Sequence, residues 1–151
     1  MAKIDETDRK ILTILRKNAR KHFTDIAEQI GVSEATVRNR IKCLERNDVI
    51  KKYTVDIDPK ELGFNMVAIV GLNVTPENLL DSVNELRDID EVKWAAKSTG
   101  DHMIMAEIWA QNGECLSRVI SKKIGNIEGI KDVRPAILLE KKEEKYDIER
   151  D

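Results

Sequence analysis

Residues 31–45 read GVSEATVRNRIKCLE. Val37, Ile41 and Leu44 recur at i, i+4 and i+7, the spacing of one buried stripe on a helix. About half a revolution away stand Ala35, Arg38, Asn39, Lys42 and Arg46. Ser33 is placed to cap this helix, and Gly31 permits the left-handed backbone that ends a preceding one. Only Gly31, Val32 and Ser33 separate the two helices, and so short a turn makes them cross steeply. That is helix-turn-helix geometry, in which the second helix of the pair enters the DNA major groove.

The segments upstream supply the support. In IDETDRKILTILRKN (residues 4–18), Ile11, Ile14 and Leu15 lie on one side, with Leu12 and Ile4 alongside. Asp5, Glu6 and Asp8 fall in the first turn, where carboxylates suit the helix dipole. In KHFTDIAEQIG (residues 21–31), Thr24 is expected as N-cap and Phe23, Ile26, Ala27 and Ile30 as the buried stripe. The outward residues of the third helix can then act on DNA. Arg forks to guanine and Asn to adenine, each good pair contributing roughly 1–3 kcal/mol of discrimination. Ala35 lets the helix approach closely and can touch a thymine methyl. Thr24 and the run Arg20, Lys21 and His22 are expected near phosphates, which position without specifying. The candidate DNA-binding set is Thr24, Ser33, Ala35, Thr36, Arg38, Asn39, Arg40, Lys42 and Arg46. Within it, Arg40 lies closest to the buried stripe and is expected in packing or phosphate contact.

Charge follows the same division. Residues 1–52 hold 13 Lys/Arg against 8 Asp/Glu, whereas residues 53–151 hold 13 against 20. A basic head on an acidic body fits an anion-binding unit joined to one with another task. No apolar run approaches the roughly 18 residues of a bilayer span, and MAKIDETDRK lacks the apolar core of a secretory signal. Cys43 and Cys115 form neither a disulfide framework nor a metal knuckle. The expectation is a soluble cytoplasmic protein without cofactor or metal.

After the head the period changes. Tyr53, Val55 and Ile57 alternate with Thr54 and Asp56, which predicts a short strand; Asp58-Pro59 breaks it. The strand either pairs with its copy in another subunit or forms a surface hairpin. Next come NMVAIVGLNV, a helix opened by Thr75-Pro76, VKWAAKS, the turn TGDH, MIMAEIWA, a helix after Asn112-Gly113, the loop IGNIEGI and VRPAILLE. Their order, β-α-β-β-α-β, is the ferredoxin-like plan. The predicted class is α+β: a three-helix, winged-helix-like head over residues 1–58, a connector over 59–64, a ferredoxin-like domain over 65–140 and a charged tail over 141–151. Two helices cover one face of such a sheet. Both faces of NMVAIVGLNV and MIMAEIWA are apolar, so the spare face is expected to meet a second copy in a two-fold dimer. A charge at Val70 is expected to yield monomers.

STGDHMIM (residues 98–105) reads from spacing alone as a tight hairpin with Gly100 and Asp101 as turn residues. Asp101 and His102 would be the acid–base pair of an enzyme, but neighbouring residues in a turn diverge, and neither nucleophile nor metal cluster accompanies them. The chain is not expected to be an enzyme.

The head with GVSEATVRNRIKCLE, followed by DVIKKYTVDIDPKELGF (residues 48–64) and a β-α-β-β-α-β body carrying TGDHMIM, resembles the leucine-responsive/asparagine regulator (Lrp/AsnC) family, archaeal members included. The likeness covers about residues 4–140. It implies a transcriptional regulator with a DNA-binding head and an effector and oligomerisation body, forming dimers that assemble into octamers and binding a small amino acid between dimers. It assigns the effector loop to Thr99, Gly100 and Asp101. Family members commonly carry Gly where this chain has Asp48; Asn47 beside it is expected to tolerate the left-handed cap. The alternative within DNA binding is a DNA-organising protein that binds broadly without effector response.

Overall fold

The computed structural model describes residues 4–139 and Ile148. The chain divides into two compact units; Ile148 groups with the first, which ends at Asp56, and the second begins at Ile57.

The first unit is built on three helices, α1 (Glu6–Lys17), α2 (Phe23–Ile30) and α3 (Glu34–Arg46). Ile11, Ile26 and Val37, one from each helix, are fully buried against one another's neighbours, and Ile14, Leu15, Ala27 and Ile41 complete the core. Capping fixes where each helix starts. Asp5 accepts from the Asp8 amide at 2.9 Å while the Asp8 carboxylate accepts from the Asp5 amide at 3.1 Å, a reciprocal capping box built from two aspartates. Ser33 caps α3 through the Thr36 amide at 3.1 Å. Gly31 ends α2 with φ of 74°, as the sequence implies. Thr24 does not cap α2: the helix starts one residue earlier, at Phe23, behind an extended His22 that makes no side-chain cap.

Two expectations for the end of the head change. The left-handed residue after α3 is Asp48, with φ of 55°, whereas Asn47 remains at φ of −96°. Asn47 instead folds its side-chain amide back to the Cys43 carbonyl at 2.8 Å. An L-residue at positive φ is strained, and Asp tolerates it better than most. Asp48→Gly is therefore expected to raise the stability of this unit by about 0.5–1 kcal/mol, read from urea unfolding. The segment Tyr53–Ile57 forms no strand in this single chain. A strand needs a ladder partner, and among the described residues none lies alongside; Val55 is left 74% exposed.

The second unit is a four-stranded antiparallel sheet in the order β2-β3-β1-β4, with β1 (Met66–Val74), β2 (Val92–Lys97), β3 (Ile104–Ala110) and β4 (Ile130–Ile137). Helices α4 (Leu79–Arg87) and α5 (Gly113–Arg118) connect the strands; α5 continues through a wider π turn, Val119–Lys123, and a 3-10 turn, Ile124–Asn126. IGNIEGI is thus only partly a loop, and β4 begins at Ile130, which pairs with Val74 past a bulge.

Alternation along β1 and β3 decides which side meets the helices. Ala68, Val70, Leu72, Ile104, Ala106 and Ile108 are fully buried with Leu86 and Ile124. The opposite side carries Val67, Ile69, Met105 and Trp109, all partly exposed, and Trp94, 42% exposed. One carboxylate lies among them. Glu107 accepts from the Trp94 indole at 2.8 Å and from the Trp109 indole, so a charge on an apolar face keeps its hydrogen bonds. Val70 faces the helices, so a charge there attacks the core; Ile69 is the residue that tests the open face.

Candidate nucleic-acid interface and effector loop

Burial of Val37, Ile41 and Leu44 turns the other side of α3 outward. Ala35, Arg38, Asn39, Lys42 and Arg46 are all exposed, as is Thr24 on α2. The first turns of α2 and α3 enclose a shallow cleft of about 310 Å³ lined by Lys21, His22, Phe23, Thr24, Glu34 and Arg38. Three basic residues and a hydroxyl therefore converge at one helix N-terminus, where amide N–H groups also face outward, a setting suited to a phosphate.

Arg38 is positioned before any ligand arrives. Its guanidinium lies 5.2 Å from the centre of the Phe23 ring and pairs with Glu34 one turn back. Glu34 is a supporting residue that the sequence pattern did not single out, and Phe23 was read only as part of the buried stripe; their i, i+4 and cross-helix placement was the available signal. An incoming guanine or phosphate would replace the Glu34 carboxylate, an exchange at a solvent-exposed pair whose loss costs little.

Arg40 goes elsewhere. It reaches Asp5 at 2.6 Å and Asp8 at 3.0 Å, tying α3 to the capping box of α1. Hydrogen bonds donated to these carboxylates hold the guanidinium more firmly protonated than usual, and the Asp8 amide followed by Arg40 lowers the Asp5 carboxyl below its ordinary range. This link is intact at neutral pH, and because the Asp5 carboxyl is lowered, its contribution is lost only as pH falls below the ordinary aspartate range and Asp5 protonates. The geometry makes Arg40 a brace between helices, the packing role among those expected for it. Ser33 likewise spends its hydroxyl on capping, and Thr36 shares it at 2.8 Å between oxygens.

The end of α3 is anchored by Tyr53, whose hydroxyl donates to Glu45 at 2.8 Å. Burial first, and the bond to Glu45 second, push the phenol up from 10.0 to about 12. A raised folded value means this bond contributes fully below the ordinary tyrosine range and fades as pH climbs towards 12. Absorbance titration should show one of the chain's two tyrosines, Tyr53, ionising near pH 12. Glu45→Gln should lower that midpoint but leave part of the elevation, since burial is the larger cause.

In the second unit, Thr99, Gly100 and Asp101 are exposed at the β2–β3 turn, and Gly100 has φ of 103°. Asn73 of β1 pins this turn. Its side-chain amide donates to the Asp101 carbonyl at 3.1 Å, and its carbonyl accepts from the Met103 amide at 3.2 Å. His102 lies across Gly71; a Cβ at residue 71 would come within 2.3 Å of the ring. Asn73 and Gly71 are supports that sequence reasoning missed, because each acts across strands. The His102 Nδ1 is buried without a hydrogen-bond partner among the described residues. Among the described residues no group of three His, Cys, Asp or Glu side chains could hold a metal, and no helix is long and apolar enough to cross a membrane.

Comparison with known proteins places both units. Residues 4–45 match the model of the AsnC-type helix-turn-helix domain, and residues 67–147 that of the Lrp/AsnC ligand binding domain. The chain is 49% identical over 138 residues to the HTH-type transcriptional regulator LrpA of Pyrococcus horikoshii, covering 91% of this chain and 98% of that protein. It is 35% identical over 136 residues to the regulator Ptr1 of Methanocaldococcus jannaschii, covering 90% and 92%. Among solved structures, Escherichia coli AsnC superposes with a TM-score of 0.83 at 28% identity, covering 93% of this chain and 95% of that one. A Neisseria meningitidis transcriptional regulator solved as a complex with L-methionine superposes with a TM-score of 0.87 at 18% identity, covering 97% of each chain.

Proposed function

Because the chain belongs to the Lrp/AsnC family of transcriptional regulators, we propose that α3 reads its operator in the major groove and that a small amino acid tunes the binding. The helix-turn-helix domain binds DNA and the sheet domain is the ligand-binding part. The observation that carries the reading is the division of α3: Val37, Ile41 and Leu44 are buried while Arg38, Asn39 and Lys42 are exposed. In this reading Arg38 and Asn39 reach base edges. Lys42, Arg46 and Thr24 contact phosphates, and Ala35 and Thr36 line the approach.

The effector site is proposed at Thr99, Gly100 and Asp101. Gly100 brings backbone close to a ligand without a side chain in the way, and the Asp101 carboxylate suits an ammonium group. The methionine held by the Neisseria protein is consistent with a ligand of that chemistry. The apolar open face of the sheet supports a dimer of sheet domains, with octamers built from such dimers. The domain limits proposed are a head over 1–58 joined through 59–64 to a body over 65–140, although the compact units divide between Asp56 and Ile57, and the protein is proposed to act in the cytoplasm on duplex DNA.

Footprinting of the protein's own promoter with and without a panel of amino acids tests this function. Protection is expected over a discrete site and is expected to change with at least one amino acid. Uniform protection of any duplex, unaffected by every compound, would favour a DNA-organising protein.

A further inference from the structure

The first unit carries a groove of about 720 Å³ between α1 and residues 49–56, distinct from the α3 surface. Its apolar lining includes Leu12, Leu15, Val49, Ile50, Tyr53 and Val55. Val49, Tyr53 and Val55 are exposed by 38%, 50% and 74%, so the groove offers apolar surface that a folded protein ordinarily covers. Four cations, Arg16, Lys17, Lys51 and Lys52, lie along the same groove.

One residue from far along the chain is already there. Ile148 lines the groove; its amide donates to the Thr13 hydroxyl at 3.4 Å, and its carbonyl accepts from the Arg9 guanidinium at 3.4 Å. Both bonds are long, so the apolar side chain is the main candidate for the anchor. The sequence around it suits the rim: residues 143–151 hold five acids against two bases. Eight residues separate Leu139 from Ile148 and can extend to about 30 Å.

We propose that this groove is a docking site for the chain's own carboxy-terminus, seated through Ile148, and that the docked end straps residues 49–56 against α1. Ile148, the one aliphatic residue of KKEEKYDIERD (residues 141–151), then has a purpose. The acids of residues 143–151 are complementary in charge to the cations that line the groove.

Cross-linking tests the occupant. With Cys43 and Cys115 replaced by Ser, the full chain carrying Thr13→Cys and Glu149→Cys, which keeps the Ile148 side chain, is treated with a short bis-maleimide. The expected product is a link within one chain, migrating as a monomer under denaturing conditions and joining the two peptides after digestion. A dimer band would mean that a second copy's tail fills the groove. No link, with both thiols reactive to a monofunctional maleimide, would mean that the tail is not seated there. Either result overturns the proposal. Hydrogen exchange supplies a second readout. In Ile148→Asp, amides of residues 49–56 should exchange roughly tenfold faster than in the parent protein, while α3 is unchanged. Equal exchange in the two proteins would also overturn it.

Discussion

Val70→Asp should unfold the sheet domain, whereas its neighbour Ile69→Asp should leave it folded and dissociate the proposed dimer. Val70 is fully buried among Leu72, Ala106 and Leu86 on the helix side of the sheet. A carboxylate there has no partner within the core, and an unpaired buried charge costs more than about 4–5 kcal/mol. That approaches the whole stability of an ordinary domain, about 5–15 kcal/mol. Ile69 points to the other side, beside Glu107 of β3 and Ala136 of β4. Its replacement leaves the helix-packed core untouched but sets a charge in the proposed contact with a second copy. Circular dichroism and sedimentation together separate the two effects. A folded, undiminished oligomer for Ile69→Asp would remove the open face from the subunit contact.

Arg38→Ala combined with Lys42→Ala should weaken operator binding sharply and flatten its salt dependence. Loss of a bidentate Arg contact costs roughly 1–3 kcal/mol, or about 5- to 150-fold in affinity. Each phosphate contact removed should reduce the slope of log affinity against log salt by about 0.9. The head itself should be unharmed, since both side chains are exposed and the core residues Ile11, Ile26 and Val37 are unaltered. Arg40→Ala should behave differently. It breaks the tie to Asp5 and Asp8, so its main effect is on stability. Binding undiminished in the double variant would mean that the head only tethers the protein and another surface meets DNA.

Much of the head was legible because its signals are local. The stripe Val37, Ile41 and Leu44, the Ser33 cap and Gly31 all act within a few residues of one another. The position of the α2 start was not, since Thr24 and His22 compete for one place and Phe23 is drawn into the core. Asp48 rather than Asn47 took the left-handed angle, a choice made by how residues 49 and 50 return to the Leu44 carbonyl. In the sheet domain the order of elements followed from alternation, but the sense of the sheet did not. Both sides of β1 are apolar, so only the placement of α4 and α5 reveals that Val70 faces inward and Ile69 outward. Tyr53–Ile57 has the pattern of a strand, and the pattern cannot say where a ladder partner would come from. The effector turn showed Gly100 and Asp101 but hid Asn73 and Gly71, whose roles exist only once strands far apart in sequence are paired.

The most direct test of base reading by α3 uses Asn39, exposed at the centre of its outward face. Affinity should be measured at one salt concentration for the footprinted operator and for a random duplex, with the parent protein and with Asn39→Ala. The expected result is a drop in the ratio of the two affinities, by about 5- to 150-fold for a lost bidentate contact, while random-duplex binding stays nearly the same. A ratio unchanged by the substitution would contradict the assignment of α3 as the reading helix.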